Sequence, residues 1–333
     1  MFMEKVIAYT RVSEAVRRKL QEKYDIVFFE DYEYLDDANF VQVLKETSGI
    51  IGVELKVTKD LLDLAPKLKI VSNVSVGYDN LDIKELTRRN IMATNTPEVL
   101  TGTVADAVLG MILATARRIP ELDNFVKNGE WKQYLQLEHF GLDVHKKTVG
   151  IIGMGSIGEA IAKRCHAGFD MNILYYNRSR KHDIEDKFNA IYCNLDDLLK
   201  KSDFVVLMVP ASPQNEKMIG KEEFGEMKMS AIFINGSRGQ NIDESALYEA
   251  LTNKQILAAG LDVFDTEPVD PNNPLLKLSN VVTLPHIGAA TVENELAMSK
   301  LAAKNLDAGL KGEYPINLIN KDIFNQNEEI PIY

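Results

Sequence analysis

The sequence predicts an α/β protein built from two doubly wound parallel-sheet domains with an active-site cleft between them. Three observations lead there. Residues 4 to 99 repeat a strand-then-helix rhythm, a second run of alternating elements begins near Thr148, and the strands of both runs are almost continuously apolar, as in sheets covered on both faces. At 333 residues the chain is also longer than a typical single domain.

In the first run the spacing predicts strands over Lys5 to Ala8, Asp25 to Phe29, Gly49 to Val53 and Ile70 to Asn73. Helices are expected over about Ser13 to Lys23, Asp37 to Thr47 and Thr58 to Leu64. A pattern apolar on most of its circumference then runs from Thr101 to Arg118, which predicts a helix buried on more than one side, between domains or between subunits, with Pro120 marking its end. Glu121 to Gln133 reads as a further short helix, carrying Trp131 as a packing anchor.

The second run predicts strands at Thr148 to Ile152, Met171 to Tyr176, Phe204 to Val209, Ala231 to Asn235, Leu257 to Ala259 and Val281 to Leu284. The helices between them are expected at Leu195 to Lys201, Lys221 to Met227 and Glu244 to Asn253. A last helix, Val292 to Leu310, follows the final strand without a sheet of its own. It is expected to pack on the N-terminal sheet, which makes the first domain discontinuous.

Composition narrows the function. A net charge of −11 argues against nucleic acid and anionic membranes as partners, since both are bound through excess Lys and Arg. No apolar stretch is long enough to span a bilayer, and the first residues run straight into a strand, so a cytoplasmic protein is expected. Cys165 and Cys193 have neither metal-ligand spacing nor the number for a disulfide framework, and no metal site is expected.

The most informative stretch is Gly153-Met154-Gly155-Ser156-Ile157-Gly158, set between an apolar strand and a segment with Ile157, Ala160 and Ile161 on one helical face. Gly153 lets the chain reverse, Gly155 lets backbone N–H groups approach a pyrophosphate, and Gly158 lets the helix pack on its strand. An anion then sits at the helix N-terminus, where unpaired N–H groups and the macrodipole favour it. The three glycines alone would fit a plain turn; their strand-and-helix setting favours a dinucleotide.

Other strand ends carry chemistry-bearing residues. Ser75-Val76-Gly77-Tyr78 follows one strand, and Asn235-Gly236-Ser237-Arg238-Gly239 places an arginine, whose planar fork matches a carboxylate, after another. Three carboxylates, Asp262, Asp265 and Glu267, precede Pro268, and Pro285-His286-Ile287-Gly288 follows the last strand. One of the three acids could hold a buried His286 and raise its pKa, keeping it ready to donate a proton near neutral pH. A satisfied core histidine beside an exposed acidic loop is the plainer alternative. His139, His145, His166 and His182 lack such a setting and are expected at the surface.

Taken together, these motifs make the chain resemble the D-2-hydroxyacid dehydrogenase family, in particular its glyoxylate, hydroxypyruvate and 2-ketogluconate reductase branch. The likeness runs from Val6 to about Asn320. It implies Rossmann/flavodoxin-like domains: a discontinuous substrate-binding domain, 1–99 and 288–333, and a dinucleotide-binding domain, 100–287. It also implies Arg238, Glu267 and His286 as catalytic residues, with Val76, Gly77, Arg238 and His286 on the substrate. On the cofactor it implies Thr103, Gly153, Met154, Gly155, Ser156, Ile157, Gly158, Asn177, Arg178, Ser179, Val209, Pro210, Gly236, Ser237, Arg238, Asp262, His286 and Gly288. Within that set Asp262 would meet the nicotinamide amide, and Val209 and Pro210 the adenine. A homodimer through the Thr101–Arg118 helix is implied as well.

The resemblance further implies reduction of a small-molecule 2-oxo acid by hydride transfer from a nicotinamide cofactor. The residues themselves indicate which cofactor. An NAD-preferring fold ends its second strand with Asp or Glu, but here the strand ends Tyr175-Tyr176-Asn177-Arg178-Ser179-Arg180-Lys181. With no carboxylate and several cations there, NADP(H) is expected as the preferred cofactor, with NAD(H) still usable. D-3-phosphoglycerate or D-lactate dehydrogenase activity, and a corepressor-like sensor of NAD(P)H on the same scaffold, are the alternatives.

Overall fold

The computed structural model describes residues 3–30 and 35–325; Met1, Phe2 and the 326–333 end of the expected substrate domain lie outside them. The chain divides into two compact units, one holding the described residues up to Leu100 and from Thr291 onward, the other Thr101–Ala290.

The first unit begins with β1 (Lys5–Tyr9), α1 (Glu14–Gln21), β2 (Asp25–Phe29), α2 (Ala38–Leu44), β3 (Thr47–Gly52), α3 (Lys59–Asp63), β4 (Ile70–Asn73), α4 (Ile83–Arg88) and β5 (Met92–Thr94). Side chains at the helix starts satisfy backbone donors: Asp37, Thr58 and Asp82 accept the N–H groups of Asn39, Leu61 and Glu85. Caps of this kind stabilise a helix by about 1 kcal/mol each. The five strands are parallel in the order β2-β1-β3-β4-β5, the flavodoxin-like order.

The second unit continues with α5 (Thr101–Ala116), α6 (Ile119–Lys127), β6 (Thr148–Ile152), α7 (Ser156–Phe169), β7 (Asn172–Tyr176), α8 (His182–Phe188) and β8 (Ile191–Tyr192). Then come α9 (Leu195–Lys201), β9 (Phe204–Leu207), α10 (Lys221–Glu226), β10 (Ile232–Asn235), α11 (Glu244–Thr252), β11 (Ala258–Leu261) and β12 (Val281–Thr283). Its seven parallel strands run β12-β11-β10-β9-β6-β7-β8, so the order reverses between β6 and β9. Open α/β sheets bind ligands at that reversal, beyond the carboxyl ends of the strands.

The chain then returns to the first unit as α12 (Val292–Leu310), capped by Thr291, whose hydroxyl accepts the Asn294 N–H. As expected for a helix without its own sheet, it covers β3, β4 and β5. It lies close because small residues leave room. A Cβ on Gly309 would stand 2.4 Å from Ile70 Cδ1, and one on Gly49 2.8 Å from Leu306 Cδ1. Inside the contact the Ser72 hydroxyl donates to the Ala302 carbonyl at 2.8 Å.

Several expectations need correction. The α2 helix ends at Leu44 rather than Thr47, because Thr47 already belongs to β3. Among the elements not foreseen are α4, β5, α8 and β8; the two strands are three and two residues long, too short to show a period. The break after α5 is made at Arg118, which adopts φ +55°, and Pro120 opens α6 instead of ending α5. Trp131 lies beyond α6 and is 60% exposed, so it anchors no core. Within its own unit α5 packs on α7, β10, β11 and β12. Arg164 on α7 ties the layers together by pairing with Asp106 at 2.6 Å and donating to the Gly102 carbonyl.

Candidate active site

The turn after β6 follows from its glycines. Gly153 adopts φ +102°, which side-chain-bearing residues rarely reach, and a Cβ there would lie 2.5 Å from the Met208 carbonyl oxygen. A Cβ on Gly158 would stand 2.3 Å from the Gly153 carbonyl oxygen, so only glycine lets α7 start this close to the turn. Gly155 differs, since a Cβ there would meet nothing within 4 Å. It is the N-cap of α7, no side chain caps the helix, and Gly155 and Ser156 are exposed. The first-turn amides therefore face open space, as an incoming phosphate requires. Met154 is 1% exposed, which leaves only its backbone for a ligand, and Ile157 is half-buried.

Past β7 the cations are not equivalent. Arg180 is held by Glu185 through Nε and Nη2, each at 2.8 Å, whereas Arg178 is exposed and makes no ion pair among the described residues. Asn177 folds back to donate to the Ser179 carbonyl at 3.0 Å. Past β9, the half-buried Val209 gives its carbonyl to the Asn241 amide at 2.9 Å, and Pro210 is exposed.

The segment after β10 is pinned from beneath. The side-chain carbonyl oxygen of fully buried Asn235 accepts both the N–H and the hydroxyl of Ser237, and its amide donates to the Arg238 carbonyl at 3.0 Å. Asn241, also fully buried, donates to the Ser237 hydroxyl at 3.2 Å. Gly236 lies against Val108 of α5. A Cβ on Gly239 would sit 1.9 Å from the Phe264 carbonyl carbon, so this glycine lets the arginine segment touch the 264–267 turn. Arg238 is half-buried, with Nη1 donating to the Ser237 carbonyl at 2.8 Å.

Of the three candidate acids, Glu267 is the one that meets the imidazole. Its Oε2 lies 2.7 Å from His286 Nδ1 while its Oε1 accepts the Phe264 N–H at 2.9 Å. The hydrogen bond to Glu267 lifts the His286 pKa, against partial burial and the nearby Arg238 charge, which lower it. Burial alone would raise Glu267, but hydrogen bonds from the imidazole and the Phe264 N–H, with Arg238 in range, hold it below the usual carboxylate value. The pair is less enclosed than expected, with side chains 44% and 35% exposed, because Leu284 to Ile287 run along the surface past β12.

Asp262 is committed elsewhere. Nearly fully buried, it accepts the Ile287 N–H on Oδ1 at 2.7 Å and the Gly288 N–H on Oδ2 at 2.8 Å, and its carbonyl accepts the His286 N–H at 2.9 Å. One residue thus holds three successive amides of a turn in which His286 adopts φ +54°. Burial outweighs those donors and raises the Asp262 pKa. A Cβ on Gly288 would meet the Asp262 carboxylate at 3.0 Å and Val104 at 3.6 Å; the neighbouring Thr103 is half-buried. Asp265 is exposed.

In the first unit, Val76 and Gly77 follow β4 in a half-buried turn. Two asparagines that sequence reasoning did not single out orient it, as Asn95 donates to the Val76 carbonyl and Asn73 to the Gly77 carbonyl, both at 2.8 Å. Among the described residues, neither the Val76 nor the Gly77 N–H donates a hydrogen bond. Of the other histidines, His145 and His182 are exposed, but His166 is half-buried and His139 packs on the Phe125 ring at 5.1 Å. Burial pushes the Cys165 thiol up to about 12. Among the described residues no cluster suits a metal, and no helix is long and apolar enough to cross a membrane.

Residues 109–288 match the model of the D-isomer specific 2-hydroxyacid dehydrogenase NAD-binding domain. Over 318 residues, 96% of this chain and 98% of the relative, the sequence is 44% identical to glyoxylate/hydroxypyruvate reductase B of Klebsiella pneumoniae. Among solved structures, the TT0316 protein of Thermus thermophilus superposes with a TM-score of 0.88 at 34% identity, covering 95% of this chain and 99% of that one. The NADPH-dependent glyoxylate/hydroxypyruvate reductase of Sinorhizobium meliloti, crystallised with NADP and malonate, gives a TM-score of 0.85 at 31% identity and covers 95% and 97%.

Proposed function

The chain belongs to the family of D-isomer specific 2-hydroxyacid dehydrogenases, and from that premise we propose that it is an NADP(H)-preferring reductase of small 2-oxo acids. Glyoxylate, hydroxypyruvate and 2-keto-D-gluconate are the proposed substrates. The observation that carries the reading is the 2.7 Å contact between His286 Nδ1 and Glu267, with Arg238 close enough to act on the charge of both.

The open, uncapped start of α7 suits a pyrophosphate, so Gly153 to Gly158 would hold it, with Thr103, Val209, Pro210, Gly236 and Ser237 along the rest of the cofactor. When bound, the reduced nicotinamide supplies a hydride for the carbonyl carbon of the substrate. Arg238 holds the carboxylate and polarises the keto oxygen. With Nδ1 engaged by Glu267, His286 presents Nε2, and from there its proton goes to that oxygen, leaving a hydroxyl group and a neutral imidazole. Oxidation of the hydroxy acid runs these steps in reverse. The uncommitted amides of Val76 and Gly77 also suit a carboxylate.

Arg178, Ser179 and Asn177, with no carboxylate at the β7 end, support the preference for NADP(H), while NAD(H) remains usable. Asp262, its carboxylate already engaged by two amides, is better suited to holding the His286 turn than to a nicotinamide amide. A homodimer through the Thr101–Arg118 helix region is proposed too, and the exposed Ile119, Val126, Trp131, Tyr134 and Leu137 that follow this helix support it. A panel of assays tests the reading: NADPH consumption with the three 2-oxo acids, pyruvate and 3-phosphohydroxypyruvate, and NADPH formation from NADP+ with D-lactate and 3-phosphoglycerate. Tight NADPH binding without turnover of any 2-oxo or 2-hydroxy acid would instead favour the corepressor-like sensor.

A further inference from the structure

The loop after β7 is held far more firmly than an exposed connection needs. Tyr175, fully buried, donates its hydroxyl hydrogen to Glu185 Oε1 at 2.7 Å and accepts the Lys181 N–H at 2.7 Å. The same Glu185 carboxylate takes the Arg180 guanidinium side-on and is itself only 14% exposed. From the other side, Tyr192 packs on Tyr175 at 5.3 Å and donates its hydroxyl hydrogen to the Asn177 carbonyl at 3.2 Å. Both ends of the segment Asn177–Lys181 are therefore tied, and one of its cations is consumed in the tying.

We infer that Glu185 is a positioning residue for cofactor choice. By gripping the Tyr175 hydroxyl and the Arg180 guanidinium, it fixes this segment so that Arg178, not Arg180, is the arginine offered to an adenosine 2′-phosphate. The inference rests on the NADP(H) reading above and deepens it. Hydrogen bonds from Arg180 and Tyr175 hold the Glu185 pKa down at about 2, so the carboxylate is charged near neutral pH. Electrostatics alone would give the opposite sign: a carboxylate near a phosphate repels it, and deleting the charge would then strengthen binding. Positioning predicts that deleting it weakens binding.

The test is calorimetric titration of the intact protein with adenosine 2′,5′-bisphosphate and with 5′-AMP, read as the ratio of the two affinities. The unmodified protein should favour the bisphosphate by roughly tenfold or more, the worth of a charge-assisted contact. In Glu185→Gln the ratio should fall roughly three- to tenfold, since a weaker neutral partner replaces the carboxylate. Tyr175→Phe changes no charge and should move the ratio the same way; it carries the test if Glu185→Gln melts early. A ratio that is unchanged or raised in the variant overturns the inference while leaving the NADP(H) reading intact. Equal affinities in the unmodified protein overturn both.

Discussion

Replacing Glu267 by glutamine isolates the charge that holds the imidazole. The carboxylate now serves two donors at once, the Phe264 N–H at 2.9 Å and His286 Nδ1 at 2.7 Å. Glutamine has one acceptor oxygen. If it keeps the Phe264 N–H, its NH2 group faces Nδ1 and favours the neutral imidazole, whose remaining N–H on Nε2 is far too weak an acid to protonate the keto oxygen. A charge-assisted hydrogen bond is worth about 1.5–3 kcal/mol, and the partial exposure of both side chains reduces this to about 1–2 kcal/mol, or roughly five- to thirtyfold in rate. The sign with pH follows from the raised His286 pKa: reduction needs the protonated ring, so its rate falls as pH rises through that pKa. In Glu267→Gln this falling limb should move to lower pH, whereas oxidation, which needs the neutral ring, should gain at low pH. The assay is kcat for NADPH consumption with hydroxypyruvate, and for NADPH formation with the hydroxy acid, across pH. A reduction limb at the same pH in both proteins would refute the pairing as the source of the proton supply.

Deleting the imidazole itself in His286→Gln should lower turnover by roughly a hundred- to ten-thousandfold while leaving NADPH binding, followed by fluorescence, nearly unchanged. Arg238→Gln should lose about 2–4 kcal/mol of transition-state binding, measured as kcat/KM for the 2-oxo acid. Asp262→Asn should lower kcat more than it raises the KM for NADPH, because its NH2 group opposes one of the two amides that the carboxylate holds; a change confined to the KM for NADPH would return Asp262 to the nicotinamide amide. Gly239→Ala should lower the melting temperature, since its Cβ would fall 1.9 Å from the Phe264 backbone; unchanged melting would show that the two segments part easily.

What the sequence disclosed follows a physical division. Strands such as Ile70 to Asn73 and Phe204 to Leu207 are covered on both faces, so their runs of apolar residues stand out without any partner being known. The Gly153–Gly158 spacing is equally legible, because the positive φ at Gly153 and the approach of Gly158 to the Gly153 carbonyl are both set within six residues. The acid that meets His286 could not be chosen among Asp262, Asp265 and Glu267 from spacing, since the choice depends on how the 264–267 turn is folded against Gly239. Asn73, Asn95 and Asn241 were invisible for a similar reason: an asparagine whose amide holds a loop carbonyl looks the same in sequence as one facing water. Trp131 misled because large aromatic residues usually mark a core.

The return of α12 to the first sheet sets an order of events during synthesis. The middle unit is complete in sequence once the ribosome has passed Ala290, while β3 and β4 still lack the helix that supplies Ala302 and Leu306 to their uncovered face. An early stop codon near residue 290 would therefore keep every strand of the seven-stranded sheet and leave β3 and β4 with bare apolar faces.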